Sequence, residues 1–353
     1  MKKFAISCIK FQQGGPRRIL DELLPILNSW LVDNNSTADV YVGSIIDELP
    51  TYDRISYIEV TGIYQKSILF RLFWEKFTVK NIARKNDYHH WLSLHDISVR
   101  TKPYSESSVY LHNPMFYAKP KINWLWFDPV QIISKLVYLP LYKLNINSNS
   151  FIVVQQLFFK NKLLESSPDL QEKIIIARPN SIYKKETANR KPEFNTFFYP
   201  AFPRVFKGHD LLLKIAKKNP EIIFFITVDG TENRLSKYLF KKYRDLENVR
   251  WLGRLNAEEV YNYYLSCDAL FFPSELETWG LPLTEARNLG KPIVSFSDCQ
   301  YLNGPLDNYN ELYLIGRDDL SFSEFLINPS DYKRVLSERV NTCNWLDVLN
   351  RMI

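Results

Sequence analysis

Apolar positions along the chain fall into short runs set between longer stretches of helical period. FAISCI (4–9), DVYVGSII (39–46), RISYIEV (54–60), FIVVQQ (151–156) and KIIIARPN (173–180) read as buried strands. ILDELLPILNSWL (19–31), KSILFRLFWEKFTVKNIARK (66–85) and residues 122–143 carry helical spacing. HHWLSLHDI and SSVYLHN look like strand ends that present polar side chains. Alternating strand and helix predicts a parallel sheet covered on both faces. The period is then lost in IYKKETANRKPEFN (182–195), polar and charged like an interdomain linker. A second, clearer alternation follows. Strands are expected at TFFYPAF, IIFFITV, NVRWLG, DALFFPS and PIVSFS, and helices at GHDLLLKIAKK, ENRLSKYLFKKY, AEEVYNYYLS and PLTEARNL. That is the pattern of a doubly wound sheet. The last 23 residues read as two helical stretches joined near Asn341–Asn344, placed either to cap the second domain or to recross to the first.

Length agrees with two domains: 353 residues against roughly 150 per domain. The expected division is 1–180, a linker at 181–195, a second domain at 196–335, and a tail at 336–353 packing back on the first. With 46% hydrophobic residues, 23 Phe, 21 Tyr and 8 Trp, the composition excludes a disordered chain. The net charge of +6 is unevenly placed. Positions 1–180 hold 22 basic and 16 acidic residues, and 181–353 hold 23 of each. No basic module of a nucleic-acid binder accompanies it, so no nucleic-acid partner is expected. A basic first half fits an anionic membrane or a phosphate-bearing substrate. Phe70, Phe73, Trp74 and Phe77 share one predicted helix with Lys66, Arg71, Lys76, Lys80, Arg84 and Lys85. Aromatics on one side and cations on the other are what an interfacial anchor needs, and equally what a helix packed on its sheet shows.

Cys8, Cys267, Cys299 and Cys343 form no CxxC pair, and the five histidines include no HExxH, so reduced core thiols and no zinc site are expected. The first residues, MKKFAISCIK, hold too short an apolar stretch for a signal peptide, and no run of about 18 apolar residues occurs. A cytoplasmic protein is expected, with attachment to the inner membrane face left open.

The chemistry is concentrated in FFPSELETWGLPLTEARNLGKPIVSFS, residues 271–297. A buried strand ends at Pro273–Ser274, an acidic turn follows, and Pro282 stands where a first helical residue would be. Gly290 and Lys291 suit the helix's C-terminal end. The Gly280–Leu281 amides and the helix start would then lie at the C-terminal edge of a parallel sheet, where unpaired N–H groups favour a phosphate. Glu277 and Glu285 flank this point. Two carboxylates beside an anion site suit the hydroxyls of a sugar nucleotide. Taken singly, Glu285 complements a helix dipole and Glu277 is an ordinary loop residue.

The segment Glu277-TWGLPLT-Glu285, with FFPS before it and A-x-x-x-G-K-P-I-V after it, resembles the Glu-x7-Glu motif of retaining GT-B-fold glycosyltransferases of family 4, the glycosyl transferases of group 1. The likeness is tight over 197–297 and looser before it. It implies two Rossmann-like domains facing across a cleft, the first for an acceptor and the second for a nucleoside-diphosphate sugar, with the C-terminal helix crossing back to the first. By this resemblance Glu277 stands by the donor sugar, Glu285 binds ribose hydroxyls, and Gly280, Leu281 and Pro282 cradle the diphosphate. Lys207 and Arg204 at the mouth of the second sheet could neutralise that diphosphate. Lys207–Gly208 match the family's Lys-Gly, but its usual arginine position is Phe202 here, so Arg204 is expected to reach the phosphate from another offset. Leu255 is expected along the nucleobase through its backbone. Gly14 and Gly15 follow the first strand, where backbone can approach a phosphate or sugar. By resemblance both border the acceptor and close over the donor. His95 is expected on the sugar's outer hydroxyls, with Asp96 and His112–Asn113–Pro114 on the acceptor side.

The resemblance further implies front-side attack without a metal, a UDP- or GDP-linked hexose or deoxyhexose donor, no other cofactor, and a glycan or lipid-pyrophosphate-linked acceptor. The setting it suggests is lipopolysaccharide, O-antigen or capsule synthesis. A same-fold epimerase or phosphorylase, and a non-catalytic sugar-nucleotide binder, are the alternatives. The motif says nothing of oligomeric state.

Overall fold

The computed structural model describes residues 1–12, 14–62, 64, 68–179, 193–338 and 340–353. The expected linker lies outside the described residues except for 193–195. The chain divides into two compact units. One comprises Met1–Tyr117, Leu136–Asn180 and Val340–Ile353, and the other Ala118–Lys135 and Ser181–Arg339.

The first unit is built on seven strands: β1 (Lys3–Ser7), β2 (Thr37–Val42), β3 (Ile55–Glu59), β4 (His90–Ser93), β5 (Glu106–Leu111), β6 (Phe151–Val154) and β7 (Ile174–Ile176). They pair in the order β3-β2-β1-β4-β5-β6-β7, every pair parallel. Strands such as Phe151–Val154 are buried throughout, which is why they read as continuous apolar runs. The helix Gly14–Asp33 buries Ile19, Leu20, Leu23, Leu24, Leu27, Trp30 and Leu31 on one stripe, the 3.6-residue spacing seen in the sequence.

The aromatic helix departs from expectation. Ile68–Phe73 and Val79–Asn86 are α-helical, but Trp74–Thr78 is a π-helical turn. The wider turn changes which positions share a face. Trp74 goes into the core with Val79 and Ala83, against Tyr41 and Trp91. Phe70, Phe73 and Phe77 remain 45%, 53% and 52% exposed. Lys66 and the Arg71 side chain lie outside what is described.

The tail is also different. Only Trp345–Asn350 is α-helical. Upstream, Lys333–Arg334 forms a strand, so the first of the two expected helices is replaced by a short turn and a sheet edge. Asn344 caps the terminal helix reciprocally with Asp347. Trp345, Val348, Leu349 and Met352 join the same core cluster as Trp30 and Leu27. Residues 340–353 thus complete the first unit.

The second unit contains β8 (Thr196–Tyr199), β9 (Ile223–Ile226), β10 (Val249–Trp251), β11 (Ala269–Phe272), β12 (Ile293–Phe296), β13 (Leu312–Ile315) and β14 (Lys333–Arg334). Their order is β10-β9-β8-β11-β12-β13-β14, parallel except for the antiparallel edge β14. Phe197, Phe224, Phe271 and Phe322 pack ring to ring at 5.4–6.0 Å, which accounts for the phenylalanine-rich strands. Strand order reverses between β1 and β4 in one sheet and between β8 and β11 in the other. Ligands of open α/β sheets bind at such switch points.

Both units bury neutral histidines, among them His90 in the first and His209 in the second. His90 Nε2 lies 2.9 Å from Ser108 Oγ, and His209 Nε2 donates to the Ala201 carbonyl at 3.2 Å. Burial pushes His90 down to about 4 and His209 down to about 3, from an ordinary 6.5. Below 6.5 the unfolded chain takes up protons that the folded chain refuses. Stability from this source is therefore complete above pH 6.5 and is lost as pH falls toward 4 and then 3. His209→Gln is expected to flatten the dependence of the urea midpoint on pH between 4 and 6.5. An unchanged slope would contradict the assignment.

No helix among the described residues is long and apolar enough to cross a membrane. Cys8, Cys267 and Cys299 are buried and Cys343 half-buried, all as free thiols.

Candidate active site

In the second unit, the loop after β8 and the loop after β11 are stitched together at the switch point. Glu275 N donates to the Phe206 carbonyl at 2.7 Å. The Tyr199 hydroxyl donates to the Lys207 carbonyl at 2.7 Å, and the Tyr301 hydroxyl to the Ser274 carbonyl at 2.6 Å. Burial first, and then the charge of Glu277 among lesser contributions, holds both phenols well above their ordinary range. They stay protonated and keep donating. Gly208, at φ +74°, sits so close that a Cβ there would lie 2.2 Å from the Pro273 carbonyl oxygen. Only glycine fits this approach.

This stitching brings Lys207 to Glu277, whose ammonium and carboxylate are in direct contact. Their side chains are 21% and 11% exposed, so the pair is shielded yet reachable. Arg204 belongs to the same loop, with the Lys207 amide donating to its carbonyl at 3.0 Å. Its guanidinium lies 5.1 Å from the centroid of the Phe202 ring. The residue at the family's usual arginine position therefore supports Arg204 from below.

Gly280, at φ +80°, caps the helix Leu281–Asn288. Pro282 is the second helical residue rather than the first, since Leu281 already belongs to the helix. Trp279 is buried, its indole N–H donating to Thr284 Oγ1 at 2.8 Å, which ties the acidic turn to the first helical turn. Glu285 is buried at 2% exposure and accepts from the Tyr264 hydroxyl at 3.0 Å. Leu255 is half-buried in the loop after β10. Gly253 in that loop has φ +67°, and a Cβ there would lie 2.6 Å from Asp229 Oδ2.

In the first unit, Gly14 and Gly15 open the helix that follows β1, with Gly14 exposed at φ +66°. His95 follows β4 and is buried. Its Nε2 accepts from the Ile9 amide at 2.9 Å, so its ring proton lies on Nδ1. Asp96, at φ +65°, accepts from the His112 and Asn113 amides at 2.5 and 2.9 Å and lies 3.4 Å from His112 Nδ1. Asp96 thus organises the end of β5, a structural task the sequence did not indicate. Tyr199, Tyr301 and Tyr264 were also missed, because a tyrosine's role depends on which carbonyl or carboxylate its hydroxyl meets across the fold.

Among the described residues no group of three or more His, Cys, Asp or Glu forms a metal cluster.

Residues 180–308 match the family described as Glycosyl transferases group 1. An uncharacterized glycosyltransferase of Haemophilus influenzae is 34% identical over 180 residues, 47% of this chain and 50% of that protein. The O-antigen chain mannosyltransferase C of Escherichia coli is 28% identical over 103 residues, 29% of this chain and 27% of that protein. The chain thus spans half or less of the length of these curated relatives. Among solved structures, sucrose-phosphate synthase of Thermosynechococcus elongatus aligns at TM-score 0.65 and 13% identity, covering 94% of this chain and 91% of that one. WaaG, a glycosyltransferase involved in lipopolysaccharide biosynthesis, aligns at 0.60 and 14%, covering 92% and 91%. Anabaena HepE in complex with UDP-glucose aligns at 0.59 and 14%, covering 94% and 91%. The chain therefore has the fold of the GT-B glycosyltransferases, and its residues 180–308 match Glycosyl transferases group 1.

Proposed function

We propose that this protein is a retaining glycosyltransferase moving a hexose or deoxyhexose from a UDP- or GDP-linked donor to a glycan or lipid-linked acceptor. The observation that carries this reading is the contact of Lys207 with Glu277 at the β8/β11 switch point, beside Arg204 and the Gly280 helix start. Two cations and a helix N-terminus suit a leaving diphosphate, and carboxylates beside them suit sugar hydroxyls. In this proposal an acceptor hydroxyl attacks the anomeric carbon from the face the diphosphate leaves. The carbon–oxygen bond to the β-phosphate breaks, and the hydroxyl proton passes to a phosphate oxygen. Lys207 and Arg204 take up the developing charge, Glu277 holds the sugar, and Glu285 serves the ribose. His95, Gly14 and Gly15 serve the donor sugar and acceptor, and the Leu255 backbone the base. No metal has a part in these steps. The relatives' printed roles in O-antigen and lipopolysaccharide biosynthesis support a surface-polysaccharide setting.

A panel of UDP-, GDP-, ADP- and dTDP-sugars, assayed with and without EDTA and with a glycan acceptor, tests this. Acceptor-dependent nucleotide release that survives EDTA, with the anomeric configuration kept in the product, is expected. Release without acceptor, or an inverted product, would refute it.

We also propose that the exposed Phe70, Phe73 and Phe77 dip into an anionic membrane, with the exposed Lys76, Lys80, Arg84 and Lys85 near the headgroups. The basic surplus of positions 1–180 supports this. A Phe73→Ser, Phe77→Ser variant is expected to sediment with phosphatidylglycerol vesicles roughly tenfold less well than the parent. Equal sedimentation would argue against the contact.

A further inference from the structure

We infer that Asp128 is a positioning residue for Arg204, delivered to the second unit by a strap of chain, residues 118–135. The inference rests on the reading of Arg204 as a diphosphate ligand. The chain leaves the first unit after Tyr117 and rejoins it at Leu136, and between these points it belongs to the second unit. Three contacts fasten the strap around the Arg204–Lys207 loop. Trp124, buried at 2% exposure, packs against Phe206 at 5.8 Å. Phe127 packs against Tyr238 at 4.8 Å. Lys121 pairs with Glu275 at 2.6 Å. Asp128 follows the short helix Trp124–Phe127, its amide closing on the Trp124 carbonyl at 2.9 Å.

From this seat both Asp128 oxygens lie near one Arg204 nitrogen, Nη1, at 3.1 and 3.3 Å. Asp128 is 7% exposed. Phe202 covers one face of the guanidinium, and Asn233 Nδ2 donates to the Pro203 carbonyl at 2.6 Å, fixing the backbone beside it. Arg204 Nε and Nη2 make no hydrogen bond among the described residues. A guanidinium is a rigid planar fork, so holding one nitrogen and one face orients the remaining donors for a planar or tetrahedral anion. Lysine could not be oriented this way. A buried carboxylate next to an anion site would otherwise weaken binding by repulsion. Its place beside a stacked arginine is explained by orientation.

The test measures UDP and GDP affinity by calorimetry on the full chain, for the parent, Asp128→Asn, Asp128→Glu, Arg204→Ala and the double variant Asp128→Asn, Arg204→Ala. Asp128→Asn is expected to weaken the better-binding nucleotide about tenfold, with Asp128→Glu restoring most of it. In the Arg204→Ala background, Asp128→Asn should have no further effect. If neither nucleotide binds the parent, or if Arg204→Ala leaves affinity unchanged, the diphosphate reading of Arg204 fails. If Arg204→Ala weakens binding while Asp128→Asn leaves it unchanged or tightens it, the positioning role is overturned and the diphosphate reading stands.

Discussion

Replacing Lys207 by Ala, or Glu277 by Gln, is expected to lower sugar transfer by about 10²–10³-fold, with most of the loss in kcat. The leaving diphosphate gains charge as the glycosidic bond breaks, so a preorganised cation matters more in the transition state than in the bound donor. On the proposed reading, Lys207 is held for that task. Its carbonyl is fixed by Tyr199, its neighbour Gly208 abuts Pro273, and its ammonium contacts Glu277. Each single change also strands the partner: a shielded carboxylate without its ammonium, or the reverse. The double variant should therefore lose little more than either single one, as expected of groups acting as a unit. Circular dichroism and thermal melting separate lost chemistry from lost fold. Single variants that fold normally and keep the parental rate would remove Lys207 and Glu277 from catalysis.

The second large effect is on stability. Trp345→Ala is expected to destabilise the first unit by about 3–5 kcal/mol. Trp345 is 3% exposed, packs on Tyr110 at 5.2 Å, and enters a cluster with Leu27, Trp30, Val348 and Leu349. Few neighbours can collapse into the space it leaves, because the helix carrying it is held at several points. Asn344 caps it, the Trp30 indole donates to Asn350 Oδ1 at 2.8 Å, and the Cys343 amide donates to the Ile176 carbonyl at 2.7 Å. Urea unfolding followed by hydrogen exchange should show early loss of protection in β1, β5 and the helix Gly14–Asp33, with the second unit's strands little affected. A loss below about 1 kcal/mol would mean that the tail is a loose appendage.

Much of this architecture was legible because it is written in short-range periodicity. Runs such as FIVV and ALFF are buried on both faces, so burial alone marks them as strands of a parallel sheet. The Glu277–Glu285 segment was legible for a similar reason. Its glycine, proline and acidic residues act locally, at a strand end and a helix start. The less legible elements depend on distant partners. β14 has two exposed residues, Lys333 and Arg334, and exists as a strand because Tyr313 and Leu312 lie opposite. The π-helical turn at Trp74–Thr78 carries no composition signal, and it decides which aromatics of that helix are exposed.

The sequence by itself determined two α/β sheets, their approximate limits, and the switch-point loops bearing Lys207, Arg204, Glu277 and Glu285. Local patterns suffice for these, since strand burial, helix period and turn chemistry operate over a few residues. A tail packing back on the first domain is already expected from the sequence; only the tertiary structure decided that residues 118–135 belong to the second unit and that Asp128 holds Arg204. Those assignments turn on contacts between residues far apart in the chain, 76 positions in the case of Asp128 and Arg204. Such pairings are set by packing and charge complementarity across the fold, which nothing in the neighbouring sequence records.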